Sequence, residues 1–408
     1  MRIYRDDLFT PAPAEERFAA LAALAAQVPP LGGDAWRDAV IDRIVYADNP
    51  WTRDAEARGG AACAGWLADA AREDLRALQA IAAAAPPGVG PAWGTGEPAA
   101  AARTLAAAPD WGACLGDLAE HHRRHGCGAF ARHPAFRFQR GRLLPVPQPD
   151  LVAPGELIGQ QEARAALAAN TERFLGGLPA HDVLLYGGRG TGKSSSVKAL
   201  LTVYQGRGLR LIEAGRQVFR DFPALAAAVR GRRQRFIAFL DDLSFESAET
   251  EYKALKAALE GGVEARPENL LVYATSNRRH LVHEGFSERE DLHGEDTIEE
   301  KVSLADRFGL TLRFATPDEQ GYLAIVQGLC RARGLPLDGT RLRERALQWA
   351  MWGSGRSGRS ARQLVDVLVA EAAEAAASAD PASRGRGATA APPGACARDA
   401  DRPGAAGR

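Results

Sequence analysis

Across residues 1–140 the apolar positions recur at helical spacing. Segments 14–28, 60–84 and 111–125 carry Leu, Trp and Phe three and four places apart in an alanine background, which predicts helices. Pro86-Pro87-Gly88-Val89-Gly90-Pro91 breaks this region in two. The proline-rich run from Arg142 to Asp150 has the extended bias of a connector. From Leu151 the pattern changes. Short apolar runs at 183–186, 209–212, 236–240, 270–274 and 310–314 alternate with helical stretches at 194–205, 222–230 and 251–260. Such alternation predicts a parallel sheet with helices on both faces. From Asp318 to Ala376 the pattern is helical again, interrupted at Arg333-Gly334-Leu335-Pro336, as in a small lid. The expected division is a helical domain over 1–140, a connector over 141–156, an α/β core over 157–316, a lid over 317–377 and a disordered tail over 378–408. The tail is rich in Ala, Gly, Pro and Arg and has too little apolar surface to offset its ordering entropy.

Composition narrows the function classes. Fifty-one basic and 51 acidic residues give zero formal charge, which argues against a chain that chiefly coats nucleic acid. No apolar run approaches the ~20 residues of a membrane span, and the start has no secretory signal. Five scattered cysteines without a CxxC pair fit a reducing cytoplasm. Of the 51 basic residues only five are lysine, so this chain writes arginine wherever a plain positive charge suffices.

One of the five lysines stands in Gly187-Gly188-Arg189-Gly190-Thr191-Gly192-Lys193-Ser194, a GxxxxGK[ST] loop after a predicted strand and before a predicted helix that begins with Ser194 and Ser195. Glycines let the backbone wrap a phosphate with N–H groups inward, and the helix aims its positive end at the same point. Lys193 would reach the β- and γ-phosphates, and the Ser194 hydroxyl would ligate Mg²⁺. A carboxylate at the end of a buried strand should complete the metal site. The run 236–240 ends in Asp241 and Asp242, with Asp241 on the Mg²⁺ side and Asp242 polarising water. Asp242 is one methylene shorter than the glutamate common in that second place, and Glu246 is the alternative base.

These residues resemble the AAA+ ATPases, an α/β P-loop NTPase fold with a helical lid. The resemblance implies ATP and Mg²⁺ as ligands, a homo-oligomeric ring that can be a hexamer, and a protein client. It further implies that Leu157-Ile158-Gly159-Gln160 lines the adenine pocket, with Ile158 and Gly159 in contact. Asn277, closing Ala274-Thr275-Ser276-Asn277, would be the sensor that orients the attacking water. Arg307, in Leu304-Ala305-Asp306-Arg307-Phe308-Gly309, would be the arginine finger. Arg362 in Ser360-Ala361-Arg362-Gln363-Leu364 would be the lid sensor, with Arg359 the alternative. A narrower similarity, through Gly128–Arg137 and Asp241-Asp242-Leu243-Ser244-Phe245-Glu246, is to a bacterial AAA+ family named domain of unknown function 815, whose pattern has the same paired aspartates.

The expected function is therefore ATP hydrolysis at a subunit interface to remodel a partner. The alternatives are a nucleotide-dependent switch or scaffold with negligible turnover, or a DNA-associated loader using the arginines between 207 and 235. His121, His122, His125 and Cys127 could hold zinc, but a solvated helix end is the simpler reading. The acidic stretch 284–300 reads as a solvated loop, or as a segment facing a neighbouring subunit's arginines. Phe219 lacks the following glycine of a substrate-threading loop.

Overall fold

The computed structural model describes residues 14–58, 65–86, 89–94, 97–243, 266–277, 307–335, 339–353 and 355–379. The helical domain comprises α1 (Ala14–Gln27), α2 (Ala35–Val45), α3 (Pro50–Arg58), α4 (Gly65–Ala83), α5 (Ala100–Ala107), α6 (Leu115–His125) and the short α7 (Ala129–Arg132). Asp34 caps α2 by accepting the Arg37 N–H at 2.8 Å. Ile41, Val45, Leu105, Trp111 and Leu118 form this domain's core, each at most 1% exposed.

The sheet has seven strands: β1 (Ala135–Gln139), β2 (Arg142–Pro145), β3 (Val183–Gly187), β4 (Leu209–Ala214), β5 (Arg235–Leu240), β6 (Leu270–Ser276) and β7 (Leu310–Phe314). Their order is β2-β1-β4-β5-β6-β3-β7, parallel except for the β1–β2 pair. All five strands expected between 183 and 314 are present. The first two strands correct the sequence reading, which placed 135–140 in the helical domain and 142–145 in a connector. Phe136 and Phe138 alternate toward the core, and Arg140-Gly141, both at positive φ (51° and 72°), make the two-residue turn that closes the hairpin. Pro145 ends the outer strand, where an edge tolerates it.

Strand parity sorts the core into two layers. Phe236, Ala238 and Leu240 face one side with Val272 and Ala274; Ile237 and Phe239 face the other with Leu271 and Tyr273. α10 (Phe222–Val229) covers the first face, while α8 (Gln161–Leu175) and α9 (Lys193–Tyr204) cover the second. The lid is α11 (Glu319–Ala332), α12 (Gly339–Trp352) and α13 (Gly358–Ala379), packed around Tyr322, Val326, Ala346 and Leu364.

The helical domain meets the sheet at the N-terminal end of β5. There Gly126 (φ +80°) closes α6, and a Cβ at this position would lie 1.6 Å from Gln234 Nε2. Phe130 meets Phe136 at a tilt and Phe236 edge to face, with ring centroids 5.0 Å apart in each pair. Glu56, 2% exposed, accepts the N–H groups of Arg233 (2.8 Å) and Cys127 (3.1 Å), the Cys127 thiol (2.9 Å) and Arg232 (3.3 Å). Arg232 also reaches Asp48 at 2.8 Å. Burial and then the Glu56 bond push the Cys127 thiol up to about 12, which keeps it a donor. Burial works to raise Asp48, but hydrogen bonds from Arg53 and Arg232 outweigh it and hold its carboxyl at about 2.

Candidate active site

β3 sits between β6 and β7, so the chain's first core strand has the fourth and fifth as neighbours. The ends of the strands at such a reversal of direction are where open α/β sheets bind ligands. β3 ends in the glycine loop, and β5, which ends in the two aspartates, lies two places away with β6 between them. The cavity at this edge has a volume of 860 Å³, within the ~300–1,000 Å³ of ordinary ligand pockets.

The loop fits a polyphosphate. Gly187 has φ +148°, and a Cβ there would lie 2.0 Å from the Phe314 carbonyl, so only glycine lets β3 pass β7 here. Gly190 and Gly192 are also left-handed, and beside Gly192 there is open space. α9 begins at Lys193 with no side-chain cap, so its first-turn N–H groups present their dipole to the cavity. Lys193 is 7% exposed, and its ammonium donates to the carbonyls of Gly187 (2.7 Å) and Gly188 (2.8 Å) and to Asn277 Oδ1 (3.3 Å). Burial lowers its pKa, while Asp242 and Asp241 act in the opposite sense. A phosphate would supply the charge that the loop carbonyls lack.

The metal-side pair is made. Ser194 Oγ donates to Asp241 Oδ1 at 2.5 Å, joining the start of α9 to the end of β5. Two hydroxyl or carboxylate oxygens and room for waters suit the hard, octahedral Mg²⁺. Asp242, at φ +54°, accepts from Asn277 Nδ2 at 2.6 Å. Asn277 thus bridges the phosphate-loop lysine and the second aspartate.

Ile158, Gly159, Arg189, Thr191, Ser195, Arg359 and Arg362 also line the cavity, joined by lid residues such as Ile325, Leu329 and Gln363. Ile158 packs against the lid core, and a Cβ on Gly328 would lie 2.2 Å from its Cδ1. The lid touches the loop directly, since the Gly358 N–H donates to the Gly190 carbonyl at 2.9 Å. Arg362 lies 3.6 Å from Glu156, a pairing that sequence reasoning missed. Arg307 is exposed just before β7 and is not among the cavity-lining residues. Glu246, the stretch 251–260 where a helix is expected, the acidic stretch 284–300 and the tail from 380 lie outside the described residues.

Thr275 is the site residue that sequence reasoning passed over. It is 1% exposed and bonds both aspartates. A signal existed: Thr275 stands two residues before Asn277, near the end of β6.

Three other expectations resolve. His122 is fully buried, with Nδ1 3.1 Å from the Gly126 carbonyl and its ring edge-on to Trp51, while Arg124 and His125 at the end of the same helix are exposed. Among the described residues no group of three or more His, Cys, Asp or Glu side chains is arranged to hold a metal. Of the arginines between 207 and 235, Arg210 is buried on three carbonyls, Arg232 is paired with Glu56 and Asp48, and Arg235 donates to the Glu268 carbonyl. Phe219 is 4% exposed in the sheet core.

The strand order and the phosphate loop define a AAA+ P-loop fold, a class that holds its nucleotide where this cavity lies. The chain belongs to the family described as protein of unknown function, DUF815, which matches residues 131–372. Similar solved structures include Thermotoga maritima RuvB, titled a Holliday junction branch migration motor, at 16% identity and a TM-score of 0.37. That match covers 53% of this chain and 63% of the RuvB chain. A single-residue RuvB mutant matches at 17% identity and a TM-score of 0.36, over 54% of this chain and 64% of its own. This chain therefore spans less than two thirds of those RuvB chains. No curated protein matches it. No helix among the described residues is long and apolar enough to cross a membrane.

Proposed function

We propose that this protein binds Mg·ATP in the 860 Å³ cavity and hydrolyses it, with Arg307 of an adjoining copy completing the site, and uses the cycle to remodel a protein client in the cytoplasm. The observation that carries this reading is convergence. Lys193, the Ser194–Asp241 pair, the Asp242–Asn277 pair and two lid arginines come from four segments far apart in sequence and meet at one cavity.

Each group has a task that its geometry supports. Lys193 would exchange the Gly187 and Gly188 carbonyls for phosphate oxygens. Ser194 and Asp241 would hold Mg²⁺, which when bound offsets charge on the phosphate oxygens. Asp242 is an acceptor for a water proton, and Asn277 fixes that carboxylate through its 2.6 Å bond. Ile158 and the lid residues Ile325 and Leu329 offer an apolar seat for the base. Arg362 would turn from Glu156 to the terminal phosphate. Positioning and charge dominate phosphoryl transfer, so this short set suffices.

A second reading has one observation in its favour. Asp242 and Lys193 both bind Asn277, which locks the water-placing groups together, as in a nucleotide-dependent switch with negligible turnover. One pair of measurements decides between the readings. Wild type should bind a fluorescent ATP analogue and release phosphate, while Lys193→Ala should bind at least ~10-fold more weakly, since it loses a charge-assisted contact. Binding without phosphate release would favour the switch. Equal binding by mutant and wild type would remove the phosphate-loop assignment.

A further inference from the structure

We infer that Thr275 positions both aspartates of the site, acting as the residue that sets its Mg²⁺ affinity; this rests on the Mg·ATP reading of the cavity. Thr275 lies near the end of β6, between β5 and β3, and pairs with Leu185 of β3. Parity places its side chain on the face of Leu271 and Tyr273, the face covered by α9. Thr275 is 1% exposed, and its hydroxyl bonds in both directions. It donates to Asp241 Oδ1 at 2.7 Å and accepts the Asp242 backbone N–H at 2.9 Å. The Thr275 carbonyl accepts the Leu243 N–H at 2.7 Å. Each residue of the turn after β5, 241–243, is therefore bonded to this one residue.

Two consequences follow for the proposed metal site. First, the hydroxyls of Thr275 and Ser194 meet the same carboxylate oxygen, Oδ1 of Asp241. They fix the carboxylate's rotation and leave its other oxygen as the one that would serve a cation and its waters. Second, Asp242 has φ +54°, a left-handed conformation that residues with a Cβ adopt uncommonly and that hydrogen bonds to its neighbours support. The bonds from Asp242 N–H and Leu243 N–H to Thr275 supply that support. Without them the turn can relax, and the Asp242 carboxylate leaves Asn277. Polarisation along the chain from Asp242 N–H through the Thr275 hydroxyl to Asp241 also strengthens each bond. Thr275 needs no contact with the nucleotide to do this, so it is a positioning residue.

The test separates the hydroxyl from the rest of the side chain. Thr275→Val keeps the shape and loses both hydroxyl bonds, while Thr275→Ser keeps the hydroxyl. The readout is binding of a fluorescent ADP analogue titrated with Mg²⁺, alongside phosphate release. Thr275→Val should shift the Mg²⁺ midpoint upward by ~10–100-fold, as for lost supports of metal ligands elsewhere, with metal-free nucleotide binding nearly unchanged. Thr275→Ser should return the midpoint close to wild type. If Thr275→Val does not fold, Thr275→Ala against Thr275→Ser makes the same comparison. A wild-type Mg²⁺ midpoint in Thr275→Val, or in Thr275→Ala where that variant is used, overturns the inference and leaves the reading of the cavity intact. A wild-type protein that binds no nucleotide overturns both.

Discussion

Glu56 joins the helical domain to the sheet, and removing its carboxylate tests that joint. Glu56→Ala deletes the acceptor of two backbone N–H groups, a thiol and a guanidinium, at a point 2% exposed. Each buried N–H left without a partner costs about 1–3 kcal/mol. Arg232 keeps Asp48, so the loss on its side is partial. The sum is about 3–5 kcal/mol, the range for breaking a buried ion pair from one side. Glu56→Gln keeps an acceptor oxygen of the same size and should lose about half as much. Urea unfolding followed by tryptophan emission reports the joint directly, because Trp51 and Trp111 are buried in the helical domain. The first transition should move to lower urea and separate from unfolding of the sheet, as domains do when their interface weakens. Nucleotide binding should survive, since Arg232 and Arg233 precede β5 while Asp241 follows its far end. A loss below about 1 kcal/mol would refute the reasoning, because ordinary surface substitutions stay within about 0.5. So would equal damage to nucleotide binding.

Two further perturbations test the fold around the site and the joint. Gly187→Ala puts a Cβ 2.0 Å from the Phe314 carbonyl at φ +148°; the backbone strain alone costs about 1–3 kcal/mol, so the urea midpoint should fall and analogue binding should be lost, and a wild-type midpoint would contradict the close approach. Burial, then His122 and His125, lower His121 from its ordinary 6.5 to about 3. The unfolded chain takes up this proton below pH 6.5 and the folded chain only near pH 3, so stability is full above 6.5 and falls as pH drops through that window. Melting temperature against pH should therefore slope more gently in His121→Gln than in wild type; identical slopes would refute the assignment.

The parts of this fold legible in the sequence are those whose signal is local. The five strands between 183 and 314 are apolar runs with turn residues after them, and the loop from Gly187 to Ser194 carries its chemistry in one octapeptide. The β1–β2 hairpin was hidden because its prolines resemble a linker, although Phe136 and Phe138 alternate as strand residues do. The pairing of Glu56 with Arg232 spans 176 positions and leaves no local trace. His121 and His122 show why type and spacing mislead. They fall in a segment dense in charge, which reads as solvated, yet His122 is buried against Trp51 and His121 is half-buried beside Tyr46. Thr275 is a third kind of omission. Its strand was located, but a threonine in a strand is ordinary until its two aspartate partners are in place.

The interface character of the site is tested most directly by mixing two dead variants. Arg307 precedes β7, away from its own cavity, so its guanidinium would act in the site of the next copy, where such fingers are worth ~10³–10⁵ in turnover. Arg307→Ala should bind the ATP analogue nearly normally and release phosphate far more slowly, and Lys193→Ala should bind poorly. Each protein alone lacks one half of every site. In an equal mixture, about one interface in four combines an intact Lys193 with an intact Arg307 from its neighbour, as expected for random closed rings. Phosphate release should recover to about a quarter of the wild-type rate, and wild-type activity per protomer should rise with concentration. No recovery where mixed oligomers are seen to form, or activity per protomer that stays constant into a demonstrably monomeric sample, would contradict hydrolysis at a subunit interface.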